Sequence, residues 1–200
     1  MPTRAIKLKG VQCRPERIRG LWSRGYALDQ HTVSSVPDGA GGFITERTEL
    51  GQLVYDLKYS QKKANAKKLA RVLADWSRRQ FDVNRIDGIL GIPPSATRKF
   101  QPVSAIVKKM SEILSLPDLS KMLQKVKTTK SLKNVLDPAE RAAELEGAFS
   151  FHRHDRVRSV LLVDDLYRSG ATASEVVRTL KKSGVSKVYL MTATKTRVNR

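Results

Sequence analysis

The amino-acid sequence predicts an α/β protein with a doubly wound, mainly parallel sheet and an irregular N-terminal extension. Apolar strand patterns alternate with helical patterns through the second half of the chain, which is typical of parallel sheets covered by helices. The 200 residues are 40% hydrophobic, which is enough for one packed core. By contrast, prolines and glycines interrupt every long pattern within residues 1–46. We therefore expect an extension, or hood, over residues 1–46 and a domain over residues 47–200.

Apolar residues at helical spacing, together with end signals, predict the helices. Thr48 is placed to cap the first helix, Pro102 suits the first turn of another, and Asp137 begins a capping box. The expected helical ranges are 48–59, 60–79, 102–114, 119–126, 137–146 and 173–182.

Short apolar runs bounded by polar or turn-forming residues predict the strands of the sheet. The expected strands cover residues 86–92, 148–151, 159–163 and 187–193. Within residues 1–46 we expect irregular structure with short strands at most.

The charge is strongly basic, with 38 Lys and Arg against 19 Asp and Glu and a formal net charge of +19. Such a field attracts polyanions and phosphorylated small molecules, and it does not specify a fold. Three interpretations stay open: a basic surface that only faces solvent, contact with nucleic acid, or attraction of a small phosphorylated substrate.

Several classes of protein are excluded or disfavoured by the sequence. No apolar run approaches the roughly 18 residues of a membrane-spanning helix. The first ten residues lack the apolar stretch of a secretory signal, so we expect a cytoplasmic protein with no membrane partner. The single Cys13 excludes an internal disulfide and a cysteine-cluster zinc site. For His152 and His154, a surface turn is the better interpretation than a zinc site.

The segment from Ser159 to Thr172 carries the clearest chemical signal. Its apolar run ends in two adjacent carboxylates, Asp164 and Asp165, and a short glycine-containing loop then leads into a helix. In open α/β sheets, ligands bind beyond the carboxyl ends of the strands. The N–H groups of residues 169–172 can bind a phosphate, and the carboxylates can accept hydrogen bonds from the vicinal hydroxyls of a ribose. The segment therefore indicates a ribose 5-phosphate site; the alternative is a solvent-facing acidic pair before an ordinary helix cap.

This segment resembles the signature of type I phosphoribosyltransferases, which use 5-phosphoribosyl-1-pyrophosphate (PRPP). More narrowly, the chain resembles the ComF family, associated with DNA uptake, over roughly residues 48–197. Three further stretches carry this resemblance: the leucine-lysine-tyrosine helix at Leu53–Tyr59, the strand and proline-containing loop at Ile89–Pro94, and the stretch 136–149 with its Gly147-Ala148-Phe149.

The resemblance implies a role for each matching residue. Asp164 and Asp165 would be the catalytic pair, binding the ribose hydroxyls and Mg²⁺, the implied cofactor. The basic residues 125–135 would form a flexible loop that closes over the substrate. The substrate-binding residues would be Pro93, Pro94, Ser95, Arg98 and Lys99 at the pyrophosphate, and Arg168, Ser169, Gly170, Ala171 and Thr172 at the 5-phosphate.

Three departures from the family pattern bear on function. The chain, with one cysteine, lacks the N-terminal zinc module common in ComF proteins. The family's arginine-glycine-phenylalanine-asparagine stretch is altered to residues 98–101, Arg-Lys-Phe-Gln. Arg168 stands where many members have threonine and purine-salvage relatives have an aspartate base. Because a guanidinium cannot accept a proton, that salvage mechanism is disfavoured here.

The sequence leaves three functional hypotheses open. The first is a phosphoribosyltransferase that displaces pyrophosphate from PRPP toward an unknown acceptor, within DNA uptake or DNA processing. The second is a non-catalytic PRPP or nucleotide sensor that acts as an adaptor for a helicase. The third is a module that binds single-stranded DNA through a basic helix containing Lys62, Lys63, Lys67 and Lys68.

Overall fold

The computed structural model describes residues 4–60, 62–94, 99–129, 137–152 and 156–196. Its strands are β1 (Ile6–Leu8), β2 (Val11–Cys13), β3 (Glu16–Ile18), β4 (Arg24–Gln30), β5 (Thr32–Pro37), β6 (Phe43–Arg47), β7 (Gly88–Gly91), β8 (Leu123–Lys125), β9 (Phe149–Phe151), β10 (Ser159–Tyr167) and β11 (Lys187–Lys195). Its α-helices are α1 (Glu49–Tyr59), α2 (Asn65–Gln80), α3 (Pro102–Leu114), α4 (Pro138–Leu145) and α5 (Ala171–Lys182). Short 3₁₀ helices cover Val83–Arg85 and Ser120–Met122.

A five-stranded sheet with the order β3-β4-β11-β10-β7 forms the centre of the fold. Strands β4, β11, β10 and β7 are parallel to one another, and β3 is an edge strand antiparallel to β4. The predicted α/β class with a mainly parallel sheet is confirmed. Since parallel strands all end at the same edge, the residues after β4, β7 and β10 lie at one side of the molecule.

Two hydrophobic clusters cover the two faces of this sheet. Leu161 and Val163 of β10 pack into a cluster with α1, α2 and α3, on what we call the first face. Val160 and Leu162 pack into a cluster with α5, β8 and β9, on the second face. Side chains of a strand alternate between faces, so both sides of β10 are covered and its pattern is continuously apolar. The doubly wound arrangement therefore follows from burial on both faces.

The predicted end signals cap the helices in the structure. The Thr48 Oγ1 accepts a hydrogen bond from the Gly51 N–H at the start of α1, at 2.9 Å. The Asp137 Oδ1 accepts one from the Ala139 N–H at the start of α4, also at 2.9 Å. Pro102 lies in the first turn of α3. Each signal satisfies or removes a backbone donor that has no partner within its own helix.

The prediction of irregular structure with short strands at most over residues 1–46 is wrong. β4 is seven residues long and lies inside the central sheet, with Tyr26 opposite Met191 of β11. One of its two partner strands, β11, lies more than 150 residues away in the sequence, and no local pattern records such a partner. The boundary between residues 46 and 47 stays a prediction, although β4 and β11 share one sheet.

Residues 119–126 do not form the predicted helix. Their apolar spacing also fits the 3₁₀ turn Ser120–Met122 followed by β8, which pairs with β9 in a separate antiparallel ribbon. The expected flexible loop 125–135 begins in this strand, and its residues 130–135 lie outside the described part of the chain. Among the residues that the structure describes, no helix is both long and apolar enough to cross a membrane.

Candidate functional site

The two adjacent carboxylates lie within β10, because this strand continues past its predicted end at Val163 to Tyr167. In a strand, successive side chains point to opposite faces. Asp164 therefore lies on the second face, where α5 packs, and Asp165 lies on the first face, where α1 packs. The sequence predicted the position of the pair at the carboxyl edge, and the strand geometry separates the two side chains.

Asp165 is buried and bound by a lysine from the first helix. Its carboxylate accepts hydrogen bonds from the Lys58 Nζ at 3.2 Å to Oδ1 and 3.0 Å to Oδ2. Lys58 lies in the last turn of α1, and its side chain is 23% exposed against 9% for Asp165. A buried carboxylate requires such a partner, since an unpaired buried charge is strongly destabilising.

Asp164 has a different environment from its neighbour. Its Oδ1 accepts a hydrogen bond from the Asp165 N–H at 2.8 Å. Asp164 forms no salt bridge with another described residue. Burial, with a smaller contribution from the charge of Asp165, raises the pKa of Asp164 to about 8. Asp164 is therefore the carboxyl group of the pair whose charge is least compensated, and a hydroxyl or a cation brought by a ligand would stabilise its ionised form.

The predicted phosphate loop leads from β10 into α5. Arg168 and Ser169 are exposed, and Gly170 caps the helix in the left-handed conformation at φ 78°. A Cβ at Gly170 would lie 2.6 Å from the Tyr167 hydroxyl oxygen, so both the backbone angle and the space require glycine here. The N-terminus of α5 presents backbone N–H groups, with Ala171 and Thr172 in its first turn.

The predicted pyrophosphate loop is only partly described. The Ile92 N–H donates to the Val163 carbonyl at 2.9 Å, so Pro93 and Pro94 leave the sheet beside the position of Asp164. Ser95 and Arg98 lie outside the described residues, and Lys99 is exposed.

The predicted nucleic-acid lysines flank the start of α2. Lys62, Lys63, Lys67 and Lys68 are all exposed. The Lys62 Nζ lies 2.8 Å from Asp56, and this hydrogen bond is the main reason why the pKa of Asp56 is lowered. The Lys63 Nζ lies 5.6 Å from the centre of the Phe100 ring, which brings the residues just before α2 beside the chain that follows the pyrophosphate loop.

Three residues at this edge were not assigned a role from the sequence. Lys58 stood within the leucine-lysine-tyrosine stretch, which could have drawn attention to it. Thr194 Oγ1 donates to the Asp165 carbonyl at 3.1 Å and lies 3.1 Å from His31 Nδ1. Thr194 and His31 do not belong to a recognisable sequence motif. The pairing of β4 with β11 brings both residues close to Asp165.

The described residues contain no group of three or more His, Cys, Asp or Glu side chains that could hold a metal ion. Asp164 keeps spare acceptor capacity at the carboxyl edge of the sheet. Mg²⁺ commonly binds through one or two carboxylates together with substrate phosphates and water. The site therefore fits Mg²⁺ when a phosphorylated ligand supplies most of the oxygens.

Comparison with known proteins gives one relative and a set of structures. No family model matches the chain. Competence protein F of Haemophilus influenzae is 29% identical over 96 residues, and the match spans 46% of this chain and 42% of that protein. Similar solved structures include the orotate phosphoribosyltransferase from Aeropyrum pernix, with a TM-score of 0.38 and 14% identity over 79% of this chain and 71% of that one. An adenine phosphoribosyltransferase gives a TM-score of 0.40 and 9% identity over 82% of this chain and 92% of that one.

The relative agrees with the resemblance found in the sequence motifs, and its match covers less than half of either chain. The central sheet agrees with the predicted α/β class. The chain is therefore a mixed α/β protein with a mainly parallel sheet, similar in part of its sequence to Competence protein F.

Proposed function

We propose that this protein binds PRPP with Mg²⁺ at the carboxyl edge of the sheet and displaces pyrophosphate from the anomeric carbon. The observation that carries the proposal is the succession of Asp164, a half-buried carboxyl without a salt bridge among the described residues, and the glycine-capped N-terminus of α5 six residues later. A hydroxyl acceptor and an anion site lie at the two ends of one short segment. A ribose 5-phosphate has the complementary groups.

The 5-phosphate is assigned to the loop from Arg168 to Thr172. Gly170 exposes the backbone, the first N–H groups of α5 are available as donors, and Ser169 and Thr172 add hydroxyls. Arg168 is exposed beside this loop and adds a permanent positive charge. Each of these features favours a doubly charged phosphate over a neutral group.

The ribose hydroxyls are assigned to Asp164. Its neighbour Asp165 is already held by Lys58, so we assign direct contact with the ligand to Asp164 and a positioning role to the pair Lys58–Asp165. The prediction that Asp165 also binds ribose and metal stays a prediction. Mg²⁺ would be held by Asp164 and the ligand oxygens, and when bound it stabilises the charge that develops on departing pyrophosphate.

We also propose that the protein acts in DNA uptake or DNA processing. This role is supported by the partial similarity to a competence protein and by the net charge of +19. The alternative, a non-catalytic PRPP sensor that acts as an adaptor for a helicase, would use the same PRPP site.

Binding of single-stranded nucleic acid is a second candidate function. The observation in its favour is the exposed group Lys63, Lys67 and Lys68 at the start of α2, next to the Phe100 ring. Such a surface combines ammonium groups with an aromatic side chain, as sequence-tolerant binding of single strands requires.

The PRPP proposal is tested by calorimetric titration of the full chain with PRPP and Mg²⁺. We expect saturable binding that Asp164→Asn weakens about tenfold or more, since hydrogen bonds to charged groups contribute about 1.5–3 kcal/mol. Asp82→Asn is the matched control, because this exposed carboxylate lies in the turn after α2 and pairs with Arg85. A folded wild type that does not bind PRPP would contradict the proposal.

A further inference from the structure

A histidine lies at the same edge of the sheet as the two carboxylates. His31 directly follows β4, and its backbone N–H donates a hydrogen bond to the Lys195 carbonyl of β11 at 2.7 Å. β4 is parallel to β11, and β11 is parallel to β10. The carboxyl ends of these strands therefore bring the His31 ring to the side of the molecule where Asp165 lies.

A hydrogen-bonded chain fixes the tautomer of this ring. The Thr194 hydroxyl has one proton, and the Asp165 carbonyl 3.1 Å away can only accept it. The Thr194 oxygen must then accept the hydrogen bond from His31, whose Nδ1 is 3.1 Å away. Nδ1 therefore carries the ring proton, and Nε2 keeps its lone pair as an acceptor.

The charges around His31 come from three elements that surround it. Burial lowers the pKa of His31, and the cations Arg47 on β6 and Lys58 on α1 lower it further, while Asp165 on β10 raises it. Arg47 is itself held over the Tyr55 ring, 3.7 Å from its centre. Burial and the two cations therefore favour the neutral imidazole, which is the form that can accept a proton.

The position of His31 is also fixed by close packing against the first helix. A Cβ at Gly51 would lie 2.0 Å from the His31 carbonyl oxygen, so α1 can approach this backbone only with glycine there. The same helix carries Lys58, which binds Asp165. Helix α1 therefore contacts both the backbone of His31 and the carboxylate of Asp165.

We propose that His31, oriented by Thr194, is the group that accepts the proton of the acceptor substrate through Nε2. This inference rests on the proposed function. The bond from the acceptor nitrogen or oxygen to the anomeric carbon forms, the bond from that carbon to pyrophosphate breaks, and the acceptor proton moves to Nε2. The acceptor accordingly attacks through an N–H or O–H group that still carries its proton, since an atom that is already deprotonated would need no base.

The test measures pyrophosphate release from PRPP and Mg²⁺ with water as the acceptor. We expect His31→Asn to slow release by about 10²–10⁴-fold, the usual contribution of a general base. PRPP affinity, measured by calorimetry, stays within about threefold, because the variant keeps an amide donor for Thr194. His152→Asn, at an exposed histidine, is the matched control and keeps the wild-type rate. Free imidazole restores release in His31→Gly, an effect that a merely structural residue would not show.

Two measurements separate this inference from the proposed function. Nitrogen NMR of the imidazole reports the tautomer without any ligand, and a His31 ring protonated at Nε2 at pH 7 overturns the inference. A wild type that does not bind PRPP contradicts the proposed function, and the inference falls with it. A wild type that binds PRPP without releasing pyrophosphate contradicts the displacement step of the proposed function, and the inference falls with that step. A His31→Asn variant with an unchanged rate of release overturns the inference alone and leaves PRPP binding and pyrophosphate displacement intact.

Discussion

At the scale of single residues, the site depends on two neighbouring carboxyl groups with different environments. The strand alternation of β10 sends Asp165 toward α1, where Lys58 binds it, and leaves Asp164 without a salt bridge among the described residues. The sequence predicted the pair and its position, because two acids after an apolar run are conspicuous. It did not predict their different roles, because Lys58 reaches Asp165 across 107 residues of sequence.

The stability of the protein should therefore depend on pH through Asp164. Its pKa is raised to about 8 in the folded state, above the ordinary value of about 3.9 that it has when unfolded. Between these values the folded protein holds the proton more tightly, so this group lowers stability as pH rises. We expect Asp164→Asn to raise Tm at pH 8, by about 2–4 °C for each kcal/mol by which the free energy of unfolding increases. The increase in Tm should become smaller toward pH 4.

Thermal unfolding of both proteins between pH 4 and pH 8 checks this expectation. Asp82→Asn, at an exposed carboxylate, should show no pH-dependent gain. A Tm difference for Asp164→Asn that is the same at every pH would show that the group is not the source of the dependence.

At the scale of elements, the turn from β10 into α5 carries the phosphate assignment. We expect Gly170→Ala to lower stability by about 1–2 kcal/mol from the left-handed backbone, and further from the contact with the Tyr167 hydroxyl. Gly39→Ala is a matched control, since Gly39 has the same φ of 78° and no described atom lies within 4 Å of the Cβ that alanine would add. Chemical denaturation gives both values, and equal losses in the two variants would contradict the steric role of Tyr167.

The elements also show where sequence patterns succeed and fail. α1, α3 and α5 were predicted nearly in full, because their apolar spacing and end signals are local. β4 was missed because its place inside the sheet depends on pairing with β11, at the other end of the chain. Residues 119–126 have an apolar spacing that suits both a helix and a turn with a strand, and the pairing of β8 with β9 decided the outcome.

At the scale of the whole molecule, the charge of +19 should make any binding of single-stranded DNA strongly dependent on salt. We expect Lys63→Glu/Lys67→Glu/Lys68→Glu to weaken binding and to reduce the slope of log affinity against log salt by about 0.7 for each lost phosphate contact. The control variant, Lys121→Glu/Lys182→Glu/Lys187→Glu, makes the same charge change at exposed positions elsewhere. Fluorescence titration at several salt concentrations measures both, and equal weakening would indicate attraction by the overall charge alone.

The location of PRPP is the central claim, and an amide NMR titration of the full chain with PRPP and Mg²⁺ tests it most directly. We predict that the largest shift changes fall on the N–H groups of residues 169–172 and of Asp164 and Asp165, and that Asp164→Asn suppresses them. Saturable changes confined to α2, or to any surface away from the carboxyl edge of the sheet, would contradict the account.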